Sequence, residues 1–386
     1  RWLQENWLES IEVLRAQPHT SGLRRNERRL LRRFYERLDS ADRASLLCES
    51  RRWMQFTSKR WRDTLRSLLE QSPRRDAAII LSRQTDYGEI RFAGSQSQNH
   101  QLANLLFLAD FAGDDIHGIE AQAPFTGRPQ YILDFAGNDV FEATRPGSLG
   151  SSLGSVGILI DQGGDEHYDM PVLGLGAGVA GFGLVLDSAG RDDYRSVAMS
   201  QGFGLFGMGL LLDGDLGLRM SGMNEDRYSS RLLSQGVGMA DGIGLLMDEG
   251  GRDRYIAKGE IPTNYGTPGL SDAWSQGVGV GQRGLAAGGI GLLIDRHGSD
   301  RYDGSSFSQG GGYYFGFGGL WDLGRVGDEY LGARYSFGWA AHAGVAHFHE
   351  AGGSDRYRSR QIVAAGPAWD HSVVFFEDLK GNDRFE

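Results

Sequence analysis

The chain has 386 residues, 40% of them apolar, with 59 glycines, 9 prolines, 1 cysteine and a net charge of −10, which is enough apolar content to bury a large core and excludes general disorder. All but three of the glycines (Gly22, Gly88 and Gly94) lie beyond residue 105, and glycine weakens helices and strands, so an ordinary core is a poor home for them. Strict G-X-Y periodicity is absent, which removes collagen; a lone Cys48 excludes a disulfide framework or a cysteine zinc site; and no apolar run reaches the roughly 18 residues of a membrane helix.

Residues 1–75 hold 18 basic and 10 acidic side chains, against 22 and 40 in the remainder, so the chain is electrically two-part. Over residues 2–72 the periodicity predicts three or four amphipathic helices. Trp2, Leu3, Trp7, Leu8 and Ile11 form one apolar stripe, and Leu30, Leu31, Phe34 and Leu38 another. Ser40 or Asp42 can cap a helix and Pro73 ends the run. Arg24-Arg25, Arg28-Arg29 and Arg32-Arg33 recur at helical spacing. They read as a solvated face, one docked on the acidic remainder, or a contact for a protein partner or membrane-associated complex, with nucleic acid disfavoured. Residues 76–105 form a transition.

From about residue 106 the chain repeats: an apolar strand, then Asp-x-x-Gly-x-Asp-x-Tyr, then a variable stretch and a glycine-rich segment. Clear copies are LDFAGNDVF (133–141), LDSAGRDDY (186–194), MDEGGRDRY (247–255), IDRHGSDRY (294–302) and EDLKGNDRF (377–385), with variants ADFAGDDIH (109–117), IDQGGDEHY (160–168), 211–228, WDLGRVGDEY (321–330) and HEAGGSDRY (349–357). The leading acids stand at 110, 134, 161, 187, 213, 248, 295, 322, 350 and 378, giving a period near 27 broken by two insertions. Such self-similarity marks stacked units sharing one core. Strand-length apolar runs without helical periodicity predict a mainly β fold: a parallel β-solenoid (β-helix) of about ten rungs over 106–386, capped by the helical segment. Triplets such as Leu184-Val185-Leu186 and Leu245-Leu246-Met247 predict strands covered on both faces. Paired glycines upstream (Gly181 and Gly183, Gly242 and Gly244) would let a second layer approach closely.

If equivalent residues stack, Asp187, Asp213, Asp248 and Asp295 form one column, and Asp193, Asp253 and Asp300 another. Stacked carboxylates repel and need a neutraliser. It is either the arginine after the second acid (Arg227, Arg254, Arg301, Arg356 and Arg384), with Asx-type turn bonds, or a cation. Tyr168, Tyr194, Tyr228, Tyr255, Tyr302, Tyr330 and Tyr357 should stack as a register column. Ser-Gln-Gly at 200–202, 234–236, 275–277 and 308–310 predicts a glutamine column bonded along the axis, or a polar strip that faces a glycan.

The turn Asp-x-x-Gly-x-Asp-x-Tyr resembles the glycine-aspartate turns of calcium-binding β-roll (RTX-type) repeats, and the region as a whole resembles parallel β-helix proteins. The resemblance implies calcium on Asp161, Asp187, Asp193, Asp248, Asp253, Asp295 and Asp300. One such turn occurs per repeat, so half of each cage would come from elsewhere.

Two places break the rhythm. His342, His347, His349 and His371, with Glu350, form a candidate transition-metal or acid-base cluster, because an i, i+2 pair on a strand shares a face. The insertions 214–225 and 256–274 are candidate binding loops, with Tyr265, Asp272 and Trp274 as the side chains to contact a ligand or partner. No Walker, GxSxG, HExxH or EF-hand sequence occurs. These features predict a secreted, periplasmic or cell-surface structural and interaction protein, possible calcium stabilisation included. The alternatives are a polysaccharide-active lyase, epimerase or hydrolase, by fold analogy, and a metal-dependent activity at the histidines.

Overall fold

A computed structural model describes residues 2–19, 22–119, 127–214, 225–263, 268–361 and 365–386, without the side chains of 2–5 and 43–44. Among these residues the fold is mainly β, with four α-helices: α1 (Trp2–Ala16), α2 (Arg25–Asp39), α3 (Arg43–Trp53) and α4 (Lys59–Glu70). Asp42 caps α3, its Oδ1 accepting the Ser45 N–H at 3.0 Å. No helix among the described residues is long and apolar enough to cross a membrane.

The strands assort into three large sheets of 12, 11 and 7 strands, each running through the chain in order, so that every repeat contributes one strand to each of the first two. Neighbours pair in parallel and in register. In the first sheet Phe182–Asp187 pairs with Met208–Asp213 and then Ile243–Asp248, and Asp187, Asp213, Asp248 and Asp295 align. In the second, Tyr168, Tyr194, Tyr228, Tyr255, Tyr302, Tyr330 and Tyr357 align. A one-residue slip would turn every buried leucine outward, which is why the register persists through both insertions. The pattern starts earlier than residue 106: Ile79–Thr85 and Gly88–Ala93 form an antiparallel hairpin that edges the first sheet.

Between the first and second sheets lies one continuous core. Leu159, Val185, Leu211, Leu246, Leu293, Leu320 and Phe348 face the tyrosine column inside it. The rings stack at 4.7–4.9 Å from Phe141 through Tyr357, the interstrand spacing of a sheet. The third sheet presses on the first through the paired glycines: a Cβ on Gly183 would lie 2.3 Å from the Ala177 carbonyl oxygen, and one on Gly244 2.1 Å from that of Val237.

The glutamines are buried, not a solvent-facing strip, and do not bond one another. Gln201, Gln235, Gln276 and Gln309 adopt left-handed backbone conformations, φ 52–66°, and turn their amides inward. The Gln235 Nε2 donates to the Tyr228 carbonyl at 3.0 Å and, across to the next repeat, to that of Ile256 at 3.2 Å. They tie together the backbones of neighbouring paired strands.

The helices cover outer faces. Ile11, Leu14, Leu31, Phe34 and Leu38 pack on the third sheet with Val179, Leu205, Val237 and Val280; Leu8 turns outward. Helices α3 and α4 cover the first sheet from Phe107 to Leu186 with Trp53, Trp61, Leu65 and Leu69. Beyond Met208–Asp213 the expected second cover is missing among the described residues: Ile243, Ile290, Val373 and Phe375 are exposed.

Candidate metal centres

Each Asp-x-x-Gly-x-Asp-x-Tyr turn carries two acids across the corner between the first and second sheets. The first acid ends its strand and closes an Asx turn: Asp161 Oδ1 accepts the Gly163 N–H at 2.8 Å and Asp322 Oδ1 that of Gly324 at 2.9 Å. The second acid reaches back one repeat. Asp192 Oδ1 accepts the Glu166 N–H at 2.6 Å, Asp300 that of Asp253 at 2.7 Å, and Asp328 that of Asp300 at 2.6 Å. The glycine between them is required by this folding-over. A Cβ on Gly298 would meet Asp300 Oδ2 at 2.2 Å, and one on Gly164 the Gly137 carbonyl oxygen at 1.5 Å.

Two columns of buried carboxyls result. Asp161, Asp187, Asp213, Asp248 and Asp295 lie in the first, and Glu166, Asp192, Asp253 and Asp300 in the second, all at most 3% exposed. Asp193 does not belong there. It is the next residue along the strand, on the opposite face, with Arg195 and Arg227 beside it. The Gly-x-acid spacing of the regular copies, such as Gly251-Arg252-Asp253 and Gly298-Ser299-Asp300, places Asp192 in the column after Gly190. For the same reason the arginines do not neutralise the columns: they follow the second acid and point outward, Arg301 to Glu329 and Arg356 to Glu386 at 3.0 Å.

The phenols meet the first column. The Tyr194 hydroxyl lies 3.0 Å from Asp187 Oδ2 and 2.8 Å from Asp213 Oδ2, and that of Tyr228 lies 2.7 Å from Asp213 and 2.6 Å from Asp248. A phenol has one proton to donate, so at each such bridge the second carboxyl must carry a proton of its own or be neutralised by a cation. Where Phe141 stands in the column, Asp161 Oδ2 has no partner, and Asp192, Asp253, Asp300 and Asp328 each leave Oδ2 buried and unpaired. Burial and the neighbouring carboxylates push Asp187 and Asp248 up to about 7, Asp300 to about 8, and Asp192 and Asp253 to about 10.

The donors fall into triplets that step along the columns: Asp134, Asp139 and Asp161; Asp161, Glu166 and Asp187; Asp187, Asp192 and Asp213. In each, one oxygen per residue lies within 4.8 Å of the others. Calcium binds oxygen at about 2.3–2.6 Å, so its opposite ligands stand about 5 Å apart. The triplets lie within the reach of one ion, and an all-oxygen anionic set suits a hard cation such as calcium over a softer metal. At the start of the columns imidazoles replace the phenols, a substitution legible only in the last residue of ADFAGDDIH. His100 Nε2 lies 2.6 Å from Asp110 Oδ2 and His117 Nε2 3.2 Å from Asp134 Oδ2; burial holds His117 well below the usual imidazole range.

The C-terminal histidine cluster divides. Glu350 turns inward and takes a first-column place beside the Tyr330 hydroxyl. His342 pairs with Asp370 at 2.7 Å and contacts Arg283 through its other ring nitrogen. His371 aligns with Ala343, not His342, since Ala343 donates to the Asp370 carbonyl. His347 and His349 do share a face, and their carboxylate is Glu377 on the neighbouring strand, at 3.2 and 3.0 Å. Of the loop candidates, Tyr265 lies outside the described residues. Asp272 and Trp274 are buried in the strand Ser271–Ser275. Trp274 stacks on Phe307 at 4.3 Å and His19 at 5.5 Å, so it anchors the helical segment and does not face a ligand.

Comparison with protein-family models, curated proteins and solved structures returned no match for this chain.

Proposed function

We propose that the chain is a calcium-stabilised scaffold and interaction protein, secreted or held at the cell envelope, whose repeats wind as a parallel β-solenoid of about ten rungs behind a helical cap. The in-register succession of strands through three sheets supports the winding. The observation that carries the calcium reading is the set of buried oxygens without partners in the inter-repeat triplets. Each repeat adds two acids, and one divalent cation per repeat balances them. Bound calcium would supply charge neutralisation and oxygen coordination, a role suited to compartments where free calcium reaches about 10⁻⁴–10⁻³ M.

The test is calcium stoichiometry by equilibrium dialysis on the full chain after chelator treatment. Several ions per chain, fewer in Asp192→Asn/Asp253→Asn, with a calcium-dependent rise in melting temperature, are expected. No bound calcium and no melting shift would sink the reading.

The interaction surface is the half of the first sheet that α3 and α4 leave bare, where Ile243, Ile290, Val373 and Phe375 continue in register the face that Trp61, Leu65 and Leu69 cover earlier. Its partner would be a protein with an apolar helical face of that kind. A labelled peptide of residues 58–71 is the probe: it should bind the wild-type chain and lose binding to Ile290→Asp, and equal binding to both would overturn the assignment. The exposed Arg25, Arg29, Arg32 and Arg33 on α2 offer a separate contact for an acidic protein surface.

A further inference from the structure

We infer that His347, His349 and Glu377 form a second, separate metal centre, which takes a divalent transition metal of the zinc class on the outer face of the first sheet. The strand Val345–Glu350 alternates between faces, so His347 and His349, two residues apart, project together while Ala346, Phe348 and Glu350 point into the core. The next strand, Val373–Asp378, pairs in register and sets Glu377 directly opposite His349. Both imidazoles converge on one atom: Glu377 Oε2 lies 3.2 Å from His347 Nε2 and 3.0 Å from His349 Nδ1.

All three donor atoms fall within 4.8 Å of one another. A tetrahedral ion with bonds of about 2.0–2.1 Å needs ligand atoms about 3.3 Å apart, close to the two separations present. Two imidazole nitrogens and one carboxylate oxygen select zinc, nickel or copper over calcium, which distinguishes this cluster from the all-oxygen columns on the other side of the same strand. The sites are partly exposed, with side-chain accessibilities of 28%, 21% and 46%, so an ion can enter and keep solvent or a partner's side chain as its remaining ligand. The aligned positions in earlier repeats hold Leu245 and Met247, then Leu292 and Ile294; an imidazole pair here therefore departs from a face that is otherwise apolar. Trp321 aligns with His349, and its ring packs 5.8 Å from that of His347, which places a fluorophore beside the ion.

The experiment is calorimetric titration of the untagged full chain with zinc chloride in saturating calcium, with copper(II) quenching of tryptophan fluorescence as the second readout. One zinc per chain is expected, lost at least tenfold in affinity in His347→Ala and in Glu377→Gln, and unchanged in His342→Ala and His371→Ala. Copper should quench the wild type and leave Trp321→Phe less quenched. Because the ligands lie on the outer face, circular dichroism of the variants should match the wild type, and a variant that fails this control is replaced by His349→Gln. Zinc binding that survives His347→Ala and Glu377→Gln, or that disappears with His342→Ala or His371→Ala, overturns the assignment. Calcium stoichiometry should be the same in all of these variants, so failure here is distinguishable from failure of the calcium columns.

Discussion

Raising the pH of the metal-free protein is expected to unfold it, and calcium to hold it folded. Asp187 and Asp248 are pushed up to about 7 and Asp300 to about 8, chiefly by burial, whereas in the unfolded chain each titrates near about 4. The folded values are the raised ones, so the stability they contribute is complete below about pH 4 and is lost as the pH rises through about 7 to 8. Each carboxyl that keeps its proton only in the fold costs about 1.4 kcal/mol per pH unit above its unfolded value. One such carboxyl therefore removes about 3 kcal/mol between about pH 5 and about pH 7, and because the stacked carboxyls titrate as a coupled set, a few of them acting together remove several kcal/mol. That is comparable with the whole stability of an ordinary domain, about 5–15 kcal/mol.

A cation that displaces the protons removes this slope. Denaturant unfolding followed by circular dichroism across that pH range, in chelator and in excess calcium, reads it directly. Proton release on calcium addition is the accompanying signal. A chelated protein whose stability is flat or rises with pH, or that takes up calcium without releasing protons, would refute the reasoning.

Phe141→Tyr should supply the hydroxyl that Asp161 Oδ2 lacks, at a stacked position between His117 and Tyr168; a gain of about 1 kcal/mol, or about 2 °C in melting temperature, is expected. Asp192→Ala, which strips the acceptor from the Glu166 N–H, should lose about 3 kcal/mol, whereas Asp193→Ala should stay within about 0.5 kcal/mol. Equal losses in urea titrations would return Asp193 to the column. Gln235→Ala severs two backbone ties and should cost about 2–3 kcal/mol by the same assay. Gly244→Ala, with its Cβ 2.1 Å from the Val237 carbonyl oxygen, should cost about 3 kcal/mol or block folding, and a wild-type melt would argue against the close approach of the third sheet.

The period of the leading acids, the tyrosine column and the two kinds of glycine were legible in the chain because each belongs to a one-dimensional repeat whose members meet their own equivalents. The direction of an individual side chain was not legible in this way. Asp193 and Asp192 are neighbours in sequence and face opposite ways. Glu350 and His349 are likewise adjacent, so the carboxylate that completes the histidine pair had to come from Glu377, 28 residues on. Trp274 looked like a loop residue because the segment before it interrupts the period, yet it carries the contact to His19 and the cap.

By itself, then, the sequence determined a parallel, register-locked stack with acids at every corner and glycines where the layers touch, since strand alternation and repeat spacing are local properties. Only the tertiary structure decided that the arginines turn away from those acids, which stretch of the first sheet α3 and α4 leave bare, and which histidines meet a carboxylate. Those depend on the face each residue takes and on how far α3 and α4 reach along the stack, and both are settled between strands and helices distant in the chain.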